Sequence, residues 1–127
     1  MPIDSYIDET RRCVVTKIYG DFTLDEIIDT INRSVRDPKF RPGFGVLSDH
    51  TRVGEPLTTP QAAGMVNHLE SLTEFFAGAR WAAVTSKPAS YGMLRMVSVL
   101  TERVPMEVQI FPTHEEAEAW LCSRPAK

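Results

Sequence analysis

The sequence predicts one α/β domain with element order ββαβαβαβα. It is built on a mainly parallel five-stranded sheet, with one antiparallel strand from an N-terminal hairpin and helices on both faces. Three observations predict this. Two adjacent β-prone segments open the chain, and three further apolar strands then alternate with segments whose apolar residues recur every three or four positions. Strands separated by helices return parallel through crossovers. The length, 127 residues, falls in the usual range of about 100–200 for one domain. A composition of 43% hydrophobic and 24% charged residues is that of a globular chain able to bury its own core.

Each element follows from its residues. Ile3 to Glu9 and Arg12 to Tyr19 form the hairpin across Thr10-Arg11, a turn that lacks glycine. The second of these strands is apolar on both sides and belongs inside the sheet. Thr23 with Glu26 has capping-box spacing and opens a helix whose Leu24, Ile27, Ile28, Ile31 and Val35 share one face. Pro38 and Pro42-Gly43 end it. Phe44 to Ser48 is a short apolar strand, followed by the polar loop Asp49 to Pro56. Thr59 caps a second helix with Pro60 at its first position, and the buried stripe runs from Ala62 to Phe76 before Gly78 stops it. Trp81 to Thr85 is a buried strand with small residues where a helix approaches. Ser86-Lys87-Pro88 leads into a third helix ending near Arg103. Met106 to Phe111 alternates as an edge strand, and Thr113 with Glu116 is a second capping box opening the last helix.

Charge and motif content exclude several functions. Lys plus Arg number 14 against 17 Asp plus Glu, and no basic run tracks a phosphate backbone, so nucleic acid is not an expected partner. No apolar stretch approaches the ~20 residues of a membrane span. The opening residues, with Asp4, Asp8 and Glu9, do not form a secretion signal. Cys13 and Cys122 lack CxxC spacing and read as reduced thiols in a cytoplasm. There is no GxSxG elbow, His50, His68 and His114 do not make a metal motif, and Gly43-Phe44-Gly45 precedes a strand rather than following one. No catalytic residue, metal or cofactor is therefore expected.

Two places are candidates for binding. Ligands of open α/β sheets sit outside the carboxyl ends of strands. Asp49, His50, Thr51 and Arg52 leave one such end and Ser86-Lys87 another, together offering a carboxylate, an imidazole, hydroxyls and two cations. The ordinary alternative is a solvated loop capped by Asp49. The third helix carries more apolar surface than one sheet-facing stripe needs, through Tyr91, Met93, Leu94, Met96, Val97 and Val99. That surplus fits plain core, a cleft for a small apolar ligand, or a homodimer face. Arg95 in this run either pairs with an acid such as Glu102 or Glu74 or holds an anionic head group.

Several segments resemble the SpoIIAA-like branch of the STAS fold. They are Arg80-Trp81-Ala82-Ala83-Val84, Tyr91-Gly92-Met93-Leu94-Arg95, and Ile110-Phe111 with Glu115 to Leu121, together with the opening hairpin and Leu47-Ser48-Asp49. The resemblance covers nearly the whole chain and rests on packing and capping residues. It implies a small β/α domain that in most members has no enzymatic activity. Relatives of this fold act as anti-sigma-factor antagonists, regulatory tails of anion transporters and CRAL-TRIO lipid-binding domains. In the antagonists a Ser after an Asp at the end of the central strand is phosphorylated. Here Asp49 is kept and His50 stands where that Ser would be, leaving Thr51, Thr58 and Thr59 as nearby hydroxyls. The expectation is a cytoplasmic, non-enzymatic regulatory or binding domain, a homodimer engaging a protein partner or a small ligand. The alternatives are a carrier of an apolar or lipid-like anionic ligand and a phospho-regulated antagonist-like switch.

Overall fold

The computed structural model describes residues 2–123. Its strands are β1 (Ile3–Asp8), β2 (Cys13–Gly20), β3 (Gly45–Val53), β4 (Arg80–Val84) and β5 (Glu107–Phe111). The helices are α1 (Leu24–Arg36), α2 (Thr59–Ser71), α3 (Thr73–Phe76), α4 (Pro88–Leu100) and α5 (His114–Cys122), with a 3-10 turn at Thr101–Arg103 after α4. The five strands lie in the order β1-β2-β3-β4-β5, with β1 antiparallel to β2 and every other pair parallel. The expected α/β class, hairpin and edge position of the last strand are therefore found.

Alternation along the strands divides the sheet between two layers. Val14, Ile18, Trp81 and Ala83 face α1, α2 and α4 in the main core, which also holds Ile27, Val66, Leu94 and Val97. Leu47, Ala82 and Val84 face the other way, against Ala117 of α5, with Phe111, Trp120 and Leu121 around them. Because Ala82 and Ala83 are small, both layers approach β4 closely, and each alanine is fully buried.

Local chemistry explains most boundaries. Thr23 and Glu26 form the reciprocal capping box expected for α1. The cap of α2 is Thr58 rather than Thr59, because Gln61 stands three positions after Thr58 and completes a capping box with it. Thr113 caps α5 by accepting from the Glu116 amide. The apolar stripe predicted as one helix to Phe76 breaks at Leu72, whose backbone leaves the helical region. The hairpin turn spans four residues, and Arg12 takes the left-handed conformation (φ 57°) usually given to glycine.

One difference bears directly on the site. The residues Asp49 to Val53, expected in a loop, continue β3 and pair with β2 as far as Gly20↔Val53. Between Lys17↔Asp49 and Tyr19↔Arg52 the register slips, so His50 and Thr51 together oppose Ile18. This bulge re-aims the side chains around it.

Candidate functional site

The pleat sends Asp49 and His50 to opposite faces of the sheet. His50 lies on the face covered by α1, α2 and α4, while Asp49, Thr51 and Arg52 belong to the α5 face. On the helix face, His50 Nε2 is 2.8 Å from the Ser48 hydroxyl, and Trp81 Nε1–H donates to the same oxygen over 2.8 Å. Ser48 and His50 are two residues apart on one strand, and Trp81 comes from adjacent β4, so the pleat aligns all three. Ser48 is buried, and burial pushes the His50 imidazole down from 6.5 to about 4. The nearby Asp49 carboxylate opposes that shift without reversing it. His50 is neutral at physiological pH.

This trio sits beside a cavity of about 110 Å³ between the sheet and the helices. Phe22, Leu57, Met65, Met93, Val97 and Trp81 are among its lining, which is overwhelmingly apolar. Besides Ser48 and His50 the lining includes the hydroxyl residues Thr30 and Ser90, and Thr30 donates to the Glu26 carbonyl. An apolar space of this kind suits small apolar molecules, which an engineered cavity of about 150 Å³ also accepts. The surplus apolar surface of the predicted third helix is thus partly accounted for, since Met93, Leu94 and Val97 of α4 all line the cavity. Tyr91 and Val99 instead face outward, 45% and 59% exposed.

On the α5 face, Asp49 is the hub. Its Oδ2 meets His114 Nε2 at 2.8 Å, and its Oδ1 accepts from the Thr51 amide (2.8 Å) and hydroxyl (2.7 Å). Burial pushes this carboxyl upward, yet the His114 and Thr51 hydrogen bonds outweigh it and hold the group below 3.8. Both His114 and Thr51 point at the carboxylate, so on this face of the sheet no imidazole is turned to a hydroxyl as a nucleophilic triad requires. Beside Asp49, Lys17, Tyr19 and Arg52 line a polar pocket of about 290 Å³, with the Arg52 guanidinium 5.9 Å from the Tyr19 ring centre.

The remaining predicted site residues scatter. Ser86 is exposed, and Lys87 donates from Nζ to the Val53 carbonyl over 2.6 Å. Arg95 is exposed and meets the Tyr91 hydroxyl at 3.5 Å, rather than Glu102 or Glu74. Arg52, Lys87, Tyr91 and Arg95 are all outside the cavity lining, so the expected cluster of a carboxylate, an imidazole and two cations is not one site. Among the possible phosphoacceptors, Thr51 is tied to Asp49 and Thr58 is the α2 cap, while Thr59 is exposed. Sequence reasoning missed Ser48, Trp81 and His114 as partners of these residues. The i, i+2 spacing of Ser48 and His50 was the one available signal.

Among the described residues, no group of His, Cys, Asp and Glu could hold a metal ion, and no helix is long and apolar enough to cross a membrane. Cys13 and Cys122 are free, and burial pushes the Cys13 thiol up to about 11.

Neither a protein-family model nor a curated protein matches the chain. Among solved structures it is similar to an uncharacterised protein of the DUF3478 family, with a SpoIIAA-like fold, from Shewanella loihica PV-4. The two are 18% identical, the match covers 94% of each chain, and the TM-score is 0.65. The chain has a SpoIIAA-like fold.

Proposed function

We propose that this SpoIIAA-like domain is a non-enzymatic binding domain whose interior cavity takes a small apolar ligand. The observation that carries the reading is the apolar cavity of about 110 Å³ between the sheet and α1, α2 and α4. A well-packed domain has few voids larger than a water molecule, because each one forfeits dispersion contacts. Keeping such a space is consistent with its being filled in use.

The chemistry around the cavity supports binding over turnover. Ser48 and His50 are within hydrogen-bond reach, but Ser48 is buried and already accepts from Trp81. An imidazole held near pH 4 is a weak base at neutral pH, and no third group orients it among the described residues. The lining offers no cation to an anionic head group, since Lys87 and Arg95 lie outside it. A neutral ligand fits better than a lipid-like acid.

Benzene binding to the purified protein tests the reading. Benzene is expected to raise the melting temperature and to shift the methyl resonances of Leu94, Val97 and Met65. Met93→Trp, which fills the cavity from a half-buried rim position, is expected to abolish both effects while remaining folded. No response of the wild-type protein to benzene refutes the ligand reading, and turnover that depends on His50 or Ser48 refutes the non-enzymatic one.

A further inference from the structure

The polar pocket on the α5 side of the sheet holds two cations with no acid to neutralise them. Lys17 and Tyr19 of β2 stand in register with Asp49 and Arg52 of β3, so the four side chains share one face toward the carboxyl ends of two parallel strands. They line the pocket of about 290 Å³, close to the ~300 Å³ at which small-molecule sites begin, and most of the wall it exposes is polar. Asp4 and Asp49 flank Lys17 on its two neighbouring strands, yet the Lys17 side chain makes no ion pair or hydrogen bond among the described residues. The Asp49 carboxylate is turned aside, since one oxygen accepts twice from Thr51 and the other meets His114. Arg52 lies over the Tyr19 ring, which positions the guanidinium without cancelling its charge, and it forms no ion pair among the described residues. Like charges on adjacent strands repel, and an anion between them relieves that cost.

We infer that this pocket binds a phosphoryl group, on a small ester or as the free ion, held between Lys17 and Arg52. Guanidinium presents a planar fork to phosphate oxygens and ammonium a point charge. The roughly 1.5–2 negative charges of a phosphate monoester at neutral pH match the two positive ones. The site lies across the sheet from the apolar cavity and stands independently of the ligand proposed for it.

The test is a titration of nitrogen-labelled protein with phenyl phosphate and with inorganic phosphate, at neutral pH and low salt to limit screening. Phenyl phosphate is expected to shift the amides of residues 17–19 and 49–52 together along one saturating curve. Lys17→Gln and Arg52→Gln replace exposed side chains outside the core, and each is expected to weaken binding at least about fivefold. Lys39→Gln removes the same charge from the connection between α1 and β3, and is expected to change binding less than about twofold. Inorganic phosphate separates the two sources. An ester that binds more tightly than the free ion marks an ester as the occupant, and equal affinity marks free phosphate, with the phosphoryl site supported either way. No saturable shift at these residues, binding undiminished in Lys17→Gln and Arg52→Gln, or an equal loss in Lys39→Gln overturns the inference. None of these outcomes touches the cavity, whose ligand is tested by benzene.

Discussion

Acid is expected to destabilise this protein through His50 well before it acts through Asp49. In the folded chain the imidazole is held down from 6.5 to about 4, while in the unfolded chain it returns to its ordinary value. Above pH 6.5 both states carry a neutral ring and the group contributes nothing pH-dependent. As pH falls below 6.5 the unfolded state takes up a proton that the folded state refuses, so stability declines. The decline continues to about pH 4, where the folded ring protonates as well and the loss levels off. Over a shift from 6.5 to about 4, at roughly 1.4 kcal/mol per unit, His50 accounts for about 3 kcal/mol. That is a large part of the ~5–15 kcal/mol that holds a typical domain together. Asp49 acts in a lower window: its carboxylate, held below 3.8, stabilises the fold above that value, and this is lost as pH falls through its folded pKa. Urea unfolding at intervals from pH 7.5 to 4, compared between the wild-type protein and His50→Gln, isolates the histidine. The two stability curves are expected to converge as pH falls, because only the wild type carries the His50 proton linkage. Parallel curves over that range refute the assignment of a desolvated, neutral His50.

Four further substitutions test particular contacts. Asp49→Ala leaves the Thr51 amide and hydroxyl and one His114 nitrogen without their acceptor, and is expected to lower unfolding free energy by about 1–3 kcal/mol. Chemical denaturation at pH 7 measures this. Gly45→Ala places a Cβ 2.7 Å from the Arg80 carbonyl oxygen, a backbone atom that cannot swing aside. It is expected to cost about 1–3 kcal/mol, read as a drop in denaturation midpoint with unchanged slope. Thr58→Ala removes the α2 capping box and is expected to cost about 1 kcal/mol, whereas Thr59→Ala changes stability by less than about 0.5 kcal/mol. Equal losses at the two positions contradict the placement of the cap.

Elements with strong local signals were readable from the chain. The Thr23–Glu26 box lies within one turn of helix, so its spacing is visible in sequence and both its hydrogen bonds form. Thr59 read as the α2 cap because Pro60 follows it, and the capping box between Thr58 and Gln61 moves the cap one residue earlier. Asp49 to Arg52 read as loop because four polar residues in a row lack the apolar alternation of a half-buried strand. They form strand because β2 extends beside them and supplies ladder partners, which is a property of the neighbour rather than of the segment. The break at Leu72 is similarly invisible in a stripe whose apolar spacing continues to Phe76.

The sequence by itself determined the α/β class, the hairpin, the order of strands and helices, and the surplus of apolar side chains on the helix now seen as α4. These follow from periodicity, caps and breakers, which act over a few residues. Only the tertiary structure decided the site. His50 and Asp49 are chain neighbours, yet one faces a cavity beside Trp81 and the other meets His114 on the opposite side of the sheet. The physical reason is twofold. The pleat and its bulge assign each residue to a face through the register with β2, which local composition does not encode. His114 reaches Asp49 from 65 residues along the chain, and Trp81 reaches Ser48, the neighbour of His50, across 33.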